Sequence, residues 1–158
     1  MKRRLSLTVN DEAWEVDVES QKTLLEVLRE DIGFTGPNEG CGLGACGSCT
    51  VLVDGNPILS CLTLAAEMEG KDITTVEGLV KDGQPDPVQR AFIDHGAIQC
   101  GFCTPGTIMS AKALLDRNPH ASRESIKEAL AGNLCRCTGY QKIVDAVESL
   151  SGDAVSVK

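Results

Sequence analysis

The chain has 158 residues, 42% of them hydrophobic, 24% charged and only 3% aromatic, the composition of an ordinary globular protein with one domain or two small ones. A net charge of −8 argues against binding nucleic acid through counterion release, and no apolar run approaches the ~18 residues that would span a bilayer. Eight cysteines are too few for a dense disulfide scaffold, yet enough for two sites of four ligands with none left over.

At the N-terminus, MKRRLSLTVND offers Arg3-Arg4, which invites a twin-arginine export reading. The next residues alternate Leu5, Leu7 and Val9 with Ser6, Thr8 and Asn10 and supply no apolar h-region. A strand and a cytoplasmic location are therefore expected. Asn10-Asp11 makes a turn, and Trp14, Val16 and Val18 alternate again, which predicts a β-hairpin with one buried face. Thr23-x-x-Glu26 is a capping box opening a helix with Leu24, Leu25 and Leu28 on its apolar face, and Gly33 stands where a C′ glycine would end it. Thr50 to Val53 reads as a strand turned at Asp54-Gly55, Pro57 to Leu62 brings Cys61 back, and Ile73 to Val76 is one more short strand.

Between helix and strand lies Gly40 to Cys49, GCGLGACGSC, with cysteines at C-x4-C-x2-C spacing and Cys61 twelve positions beyond Cys49. Four sulfurs drawn from so short a backbone can converge only if the loop turns sharply. Gly40, Gly42, Gly44 and Gly47 accept positive φ without a Cβ penalty, so their N–H groups can turn inward and stabilise a negatively charged centre. Ser48 adds a small hydroxyl donor, with no base beside it that would make it a nucleophile. The spacing resembles that of plant-type ferredoxins, where four thiolates hold a [2Fe–2S] cluster. Zinc favours paired C-x2-4-C knuckles, and a disulfide framework needs an oxidising compartment. Periodicity alone gives an α+β class; the resemblance implies a β-grasp sheet with the metal loop at one edge.

From Val80 to Pro87 the composition turns polar with two prolines, which predicts a linker at 80–87. Beyond it the strand pattern ends. Val88 to His95 reads as a short helix, and Thr104-Pro105 as an N-cap and N1 proline opening a helix to Asp116 with Ile108, Ala111 and Leu115 on one face. Ser122 caps a helix carrying Ile126, Ala129 and Leu130. Thr138-x-x-Gln141 offers another capping box, with Ile143, Val147 and Leu150 buried before Gly152. The expected organisation is a ferredoxin-like domain over 1–79, a small all-α four-helix domain over 88–152 and a tail over 153–158.

Cys100 and Cys103 lie in IQCGFCTPG, and Cys135 and Cys137 in AGNLCRCTGY, each pair just ahead of an expected helix N-terminus, where free N–H groups favour thiolates. A second binuclear cluster and a structural zinc both fit this set of four. His95 and His120 invite a Rieske-like reading, but eight cysteines already complete two sites, and packing or surface roles suffice for both. Arg136, between two ligands, suits either raising a cluster potential or pairing with a partner carboxylate. Phe102 suits helical packing better than partner contact.

Taken together, GCGLGACGSCTVLVDG, QCGFCTPG and AGNLCRCTGY resemble the small iron–sulfur subunits of the xanthine dehydrogenase family of molybdenum hydroxylases, over Leu5 to Leu150. Succinate dehydrogenase iron–sulfur subunits share the first spacing but continue with C-x2-C-x2-C runs that this chain lacks. The resemblance implies two [2Fe–2S] clusters. Cys41, Cys46, Cys49 and Cys61 would hold the one nearer an FAD subunit, and Cys100, Cys103, Cys135 and Cys137 the one nearer a large subunit's molybdenum–pterin cofactor. It further implies that Gln99 hydrogen-bonds the pterin and that Cys137 touches its edge. Electrons would pass singly from molybdenum to FAD within a heterotrimer or a dimer of heterotrimers. The substrate range it allows covers N-heterocycles, purines, aldehydes, aromatic acyl-CoA esters and CO. No Walker loop or dinucleotide fingerprint suggests turnover by this chain alone. A zinc-stabilised adaptor and a free two-cluster ferredoxin are the alternatives.

Overall fold

The computed structural model describes residues 2–152; the expected tail over 153–158 lies outside the described residues. Five strands form a mixed sheet in the order β2-β1-β5-β3-β4. β1 (Lys2–Val9) and β2 (Glu12–Glu19) are the expected hairpin, antiparallel with Leu5 opposite Val16 and Leu7 opposite Trp14. Asn10 and Asp11 both take positive φ at the turn, the backbone a two-residue hairpin requires. β5 (Asp72–Thr74) runs parallel to β1 and antiparallel to β3 (Thr50–Val53), which pairs in turn with β4 (Asn56–Leu59).

The first helix, α1, begins at Leu24–Glu26 and continues over Val27–Ile32 with π-type bonding. Its capping box forms as expected: the Glu26 N–H donates to Thr23 Oγ1 at 3.2 Å and the Thr23 N–H donates to Glu26 Oε2 at 2.7 Å. Gly33, at φ 99°, ends the helix and donates its N–H to the Leu28 carbonyl at 3.0 Å. Leu24, Val27 and Leu28 pack on Leu5, Leu7, Val9, Val51, Val53 and Ile73 to make one apolar core.

Helices α2 (Pro87–Asp94), α3 (Thr104–Arg117), α4 (Arg123–Leu130) and α5 (Gln141–Glu148) come next in the chain. Phe92, Ile108, Met109, Ile126, Ile143 and Val147 form a second core between them, and Leu52 and Leu79 join it. β3 therefore serves both cores, since strand alternation turns Val51 and Val53 to one face and Leu52 to the other. Each of these large side chains, once fully buried, contributes about 1.5–3 kcal/mol.

Two helix starts differ from expectation. Cys103, not Thr104, occupies the N-cap of α3, with no side-chain cap bond. Thr138 does not cap α5: Tyr140 stands at that N-cap with φ 70°, and the Thr138 side chain is engaged elsewhere. An additional cap, not expected from the sequence, is Asp86, which forms a full box with Gln89 ahead of Pro87. In the stretch expected as a linker, Lys81 and Gln84 exchange backbone hydrogen bonds of 3.0 and 2.8 Å in a tight turn.

Candidate metal centres

The loop from Gly40 to Cys49 lies between α1 and β3. Gly42, Gly44 and Gly47 take φ of 61°, 72° and 74°. A Cβ on Gly40 would lie 2.8 Å from Cys46 Sγ, so the backbone comes as near the sulfur as an unsubstituted Cα allows. The turns aim donors at sulfur: the N–H groups of Leu43 and Ala45 donate to Cys41 Sγ at 3.4 and 3.3 Å. Cys61 returns to the loop on a single 3-10 turn, Ser60–Leu62, placed by β4.

All four thiols of the first set come together, two and two. Cys41 lies beside Cys46, and Cys61 beside Cys49. The N–H groups of Leu43, Ala45 and Cys46, with the Cys46 thiol, bring Cys41 down to about 7. Burial, and then the Cys49 thiol, push Cys61 up to about 11.

The second set pairs the same way, although its members come from two loops. Cys103 meets Cys135, and Cys100 meets Cys137. Burial, then Cys135, pushes Cys103 up to about 12. Burial also opposes ionisation of Cys135, but the Thr138 hydroxyl and N–H and the Cys137 N–H outweigh it and bring that thiol down to about 7. The neighbouring Cys100 thiol raises Cys137. Cys100 and Cys137 are exposed, whereas Cys103 and Cys135 lie further in.

Among the described residues, no three His, Cys, Asp or Glu side chains converge closely enough to hold a single ion. Four thiols in each set, with no three close enough for a single ion, suit a binuclear centre better than one tetrahedral zinc. The donor chemistry fits as well: soft thiolates, with N–H groups already aimed at two of them. Binding would release the thiol protons.

The two loops touch. The Leu134 N–H donates to the Cys46 carbonyl at 2.9 Å, and the buried Asn133 side chain donates to the Gly47 carbonyl at 3.1 Å. Asn38 donates to the Phe102 carbonyl at 2.9 Å. A Cβ on Gly106, in the first turn of α3, would lie 2.2 Å from the Gly47 carbonyl oxygen. A cavity of about 500 Å³ opens over this junction, lined by Cys46 and Ser48 on one side and by Cys100, Cys103, Cys135 and Cys137 on the other.

Of the other expected residues, Gln99 is exposed beside Cys100, and Arg136 is exposed between its two cysteines. Phe102 does not pack into the helical core: it is 49% exposed and lines the cavity, because its backbone is held by Asn38 at the junction of the loops. His95 and His120 are exposed and belong to neither set, His95 bonding within its own helix, to the Ala91 carbonyl at 3.0 Å. Asn133, Thr138 and Tyr140 do not stand out as site residues in the sequence. The partners that give them meaning lie across the fold or compete with an ordinary helix cap.

Family models agree with this division of the chain. A model described as "2Fe-2S iron-sulfur cluster binding domain" matches residues 7–79, and one described as "[2Fe-2S] binding domain" matches residues 75–148. Fold and site thus define an iron–sulfur protein with two binuclear-cluster domains. The "Nicotinate dehydrogenase small FeS subunit" of Eubacterium barkeri is 50% identical over 143 residues, which are 90% of this chain and 91% of that one. The "Xanthine dehydrogenase iron-sulfur-binding subunit" of Escherichia coli O157:H7 is 48% identical over 145 residues, 90% and 91% of the two chains. Among solved structures, quinoline 2-oxidoreductase from Pseudomonas putida 86 superposes with a TM-score of 0.92 at 46% identity, over 95% of this chain and 93% of that one. The chain belongs to the iron–sulfur subunits of the xanthine dehydrogenase family, the molybdenum hydroxylases, and is an electron-transfer component of an oxidoreductase complex with a large-subunit partner.

Proposed function

We propose that Cys41, Cys46, Cys49 and Cys61 hold one [2Fe–2S] cluster and that Cys100, Cys103, Cys135 and Cys137 hold the other. The first would sit in a β-grasp module over 1–79 and the second in a four-helix module over 88–152, with 80–87 between them. When bound, each cluster supplies a centre that accepts and releases one electron. The protein's own part is to fix the two centres relative to each other. The observation that carries this reading is the hydrogen bond between the Cys46 carbonyl and the Leu134 N–H. It joins a ligand of one set to the chain neighbour of Cys135, a ligand of the other.

The outer pair, Cys100 and Cys137, is exposed with Gln99 alongside, and supports a face turned toward the molybdenum–pterin cofactor of the large subunit. The first set would then deliver to FAD on a medium subunit, in a cytoplasmic heterotrimer or dimer of heterotrimers. Relatives named for nicotinate, nicotine, caffeine and quinoline support an N-heterocyclic substrate for the complex.

The test is the Cys137→Ser variant in the assembled complex. Substrate should still bind and reduce the large subunit, while multiple turnover to the flavin acceptor falls by at least a hundredfold. Full turnover would overturn the proposed path.

A further inference from the structure

Cys135 accepts a hydrogen bond from a side-chain hydroxyl. Thr138 Oγ1 donates to Cys135 Sγ at 3.1 Å, and the Thr138 N–H adds a second bond at 3.4 Å. In the first loop, by contrast, the donors to Cys41 Sγ are the backbone N–H groups of Leu43 and Ala45. Thr107 donates its hydroxyl to the Cys103 carbonyl at 2.9 Å and also lies beside the Cys103 thiol, which burial nevertheless holds high.

The Thr138 hydroxyl is held in place. The Tyr140 N–H donates to Thr138 Oγ1 at 3.2 Å, which fills an acceptor position and leaves the hydroxyl proton for the sulfur. In return, the Cys135 N–H donates to the Tyr140 hydroxyl at 2.9 Å, closing a ring of bonds from Cys135 through Tyr140 and Thr138 back to Cys135. Tyr140 has φ 70°, a left-handed backbone costly for a bulky residue, and it persists only where neighbours over-determine it. That conformation is what points its N–H at Thr138 while its hydroxyl reaches back to Cys135. A helix cap would need none of this.

We propose that Thr138, aimed by Tyr140, is a positioning residue that raises the one-electron reduction potential of the cluster held by Cys100, Cys103, Cys135 and Cys137. This rests on the ligand assignment above. A donor on a ligand sulfur stabilises the more negative, reduced state, so the cluster accepts one electron more readily with no proton taken up. Substituting the side chain leaves the Thr138 N–H bond to the sulfur in place, so the share of the hydroxyl can be read by itself.

The experiment is an EPR-monitored redox titration with dithionite of the chain purified with its partner subunits, comparing wild type, Thr138→Val and Thr138→Ser. Thr138→Val should raise the oxidised-to-reduced ratio of the second cluster about tenfold at a fixed potential, a shift of about 59 mV for one electron. The first cluster's signal should not move, and Thr138→Ser should titrate like wild type. An unmoved second signal in Thr138→Val, an equal shift in both signals, or a Thr138→Ser shift as large as that of Thr138→Val would overturn the proposal. If Thr138→Val assembles no second cluster, Thr138→Ala carries the same comparison. Should neither assemble while Thr138→Ser does, the hydroxyl is a folding requirement and the proposal falls. Iron counting on wild type separates this from the underlying reading: about two irons per chain would defeat the ligand assignment itself, whereas about four irons with an unmoved potential would defeat only the role of Thr138.

Discussion

Two sets of four thiols are gathered by different routes. The first is nearly all one loop, in which glycines at positive φ turn the backbone N–H groups of Leu43 and Ala45 onto Cys41. The second draws on two loops on either side of α3 and α4, and brings a threonine hydroxyl to Cys135 where backbone N–H groups serve Cys41. A centre built from contiguous backbone should be insensitive to side-chain substitution other than at its cysteines and glycines. One assembled from separate elements depends on packing and on individual side chains. Substitutions in either set can break this contrast.

The largest effect expected is selective loss of a centre. Cys49→Ser should abolish the signal of the first cluster and keep that of the second, and Cys135→Ser should do the reverse, each losing about two irons by metal analysis. Loss of both clusters in either variant would show that the sets do not assemble independently.

Next comes the junction of the loops. Gly47→Ala combines positive φ, costing roughly 1–2 kcal/mol, with a Cβ placed 2.4 Å from the Gly132 carbonyl oxygen, which adds about 1–3 kcal/mol of overpacking. Its Tm should fall by roughly 2–4 °C per kcal/mol. Gly132→Ala meets nothing within 4 Å and should leave Tm within about 2 °C of wild type. Equal Tm values for the two variants would contradict the close approach at Gly47.

Asn133→Ala removes the buried donor to the Gly47 carbonyl and should cost about 1–3 kcal/mol in denaturant unfolding. It should also weaken magnetic coupling between the two reduced clusters, because Asn133 precedes the Leu134 bond to Cys46. Unchanged stability and coupling together would show that this bond holds nothing in register.

The smallest effect lies far from both sites, in the cap of α1. Hydrogen bonds from the Thr23 backbone, then from its hydroxyl, hold Glu26 below the usual carboxylate range. A depressed folded value contributes stability that is full above the unfolded value near 4.5 and is lost as pH falls through the lower folded one. Glu26→Gln should therefore flatten part of the acid limb of the stability curve, and Thr23→Ala should cost about 1 kcal/mol at neutral pH. An unchanged acid limb in Glu26→Gln would show that the cap adds nothing to acid stability.

Much of the fold is legible in local sequence. The alternation from Leu5 to Val18 and the Thr23–Glu26 box depend on neighbours within a few positions, and the structure shows both. The Asp86–Gln89 box is equally local, but the two prolines around it give the stretch the composition of a linker and mask the cap. Thr138 misleads because the Thr-x-x-Gln pattern suits a helix cap, while the nearby Cys135 sulfur competes successfully for the hydroxyl. Asn133 gives no local signal at all, since its partner Gly47 lies 86 residues away and is reached through the packing of α3 against β3 and α4. Local rules find the elements, and long-range contacts decide how the two sets meet.

The most direct measurement is low-temperature EPR of the dithionite-reduced protein, purified anaerobically, with iron and zinc counted on the same sample. Two cluster-binding sets predict two distinct S = 1/2 signals and about four irons per chain. One signal with about two irons, together with bound zinc, would contradict this and make the helical set structural.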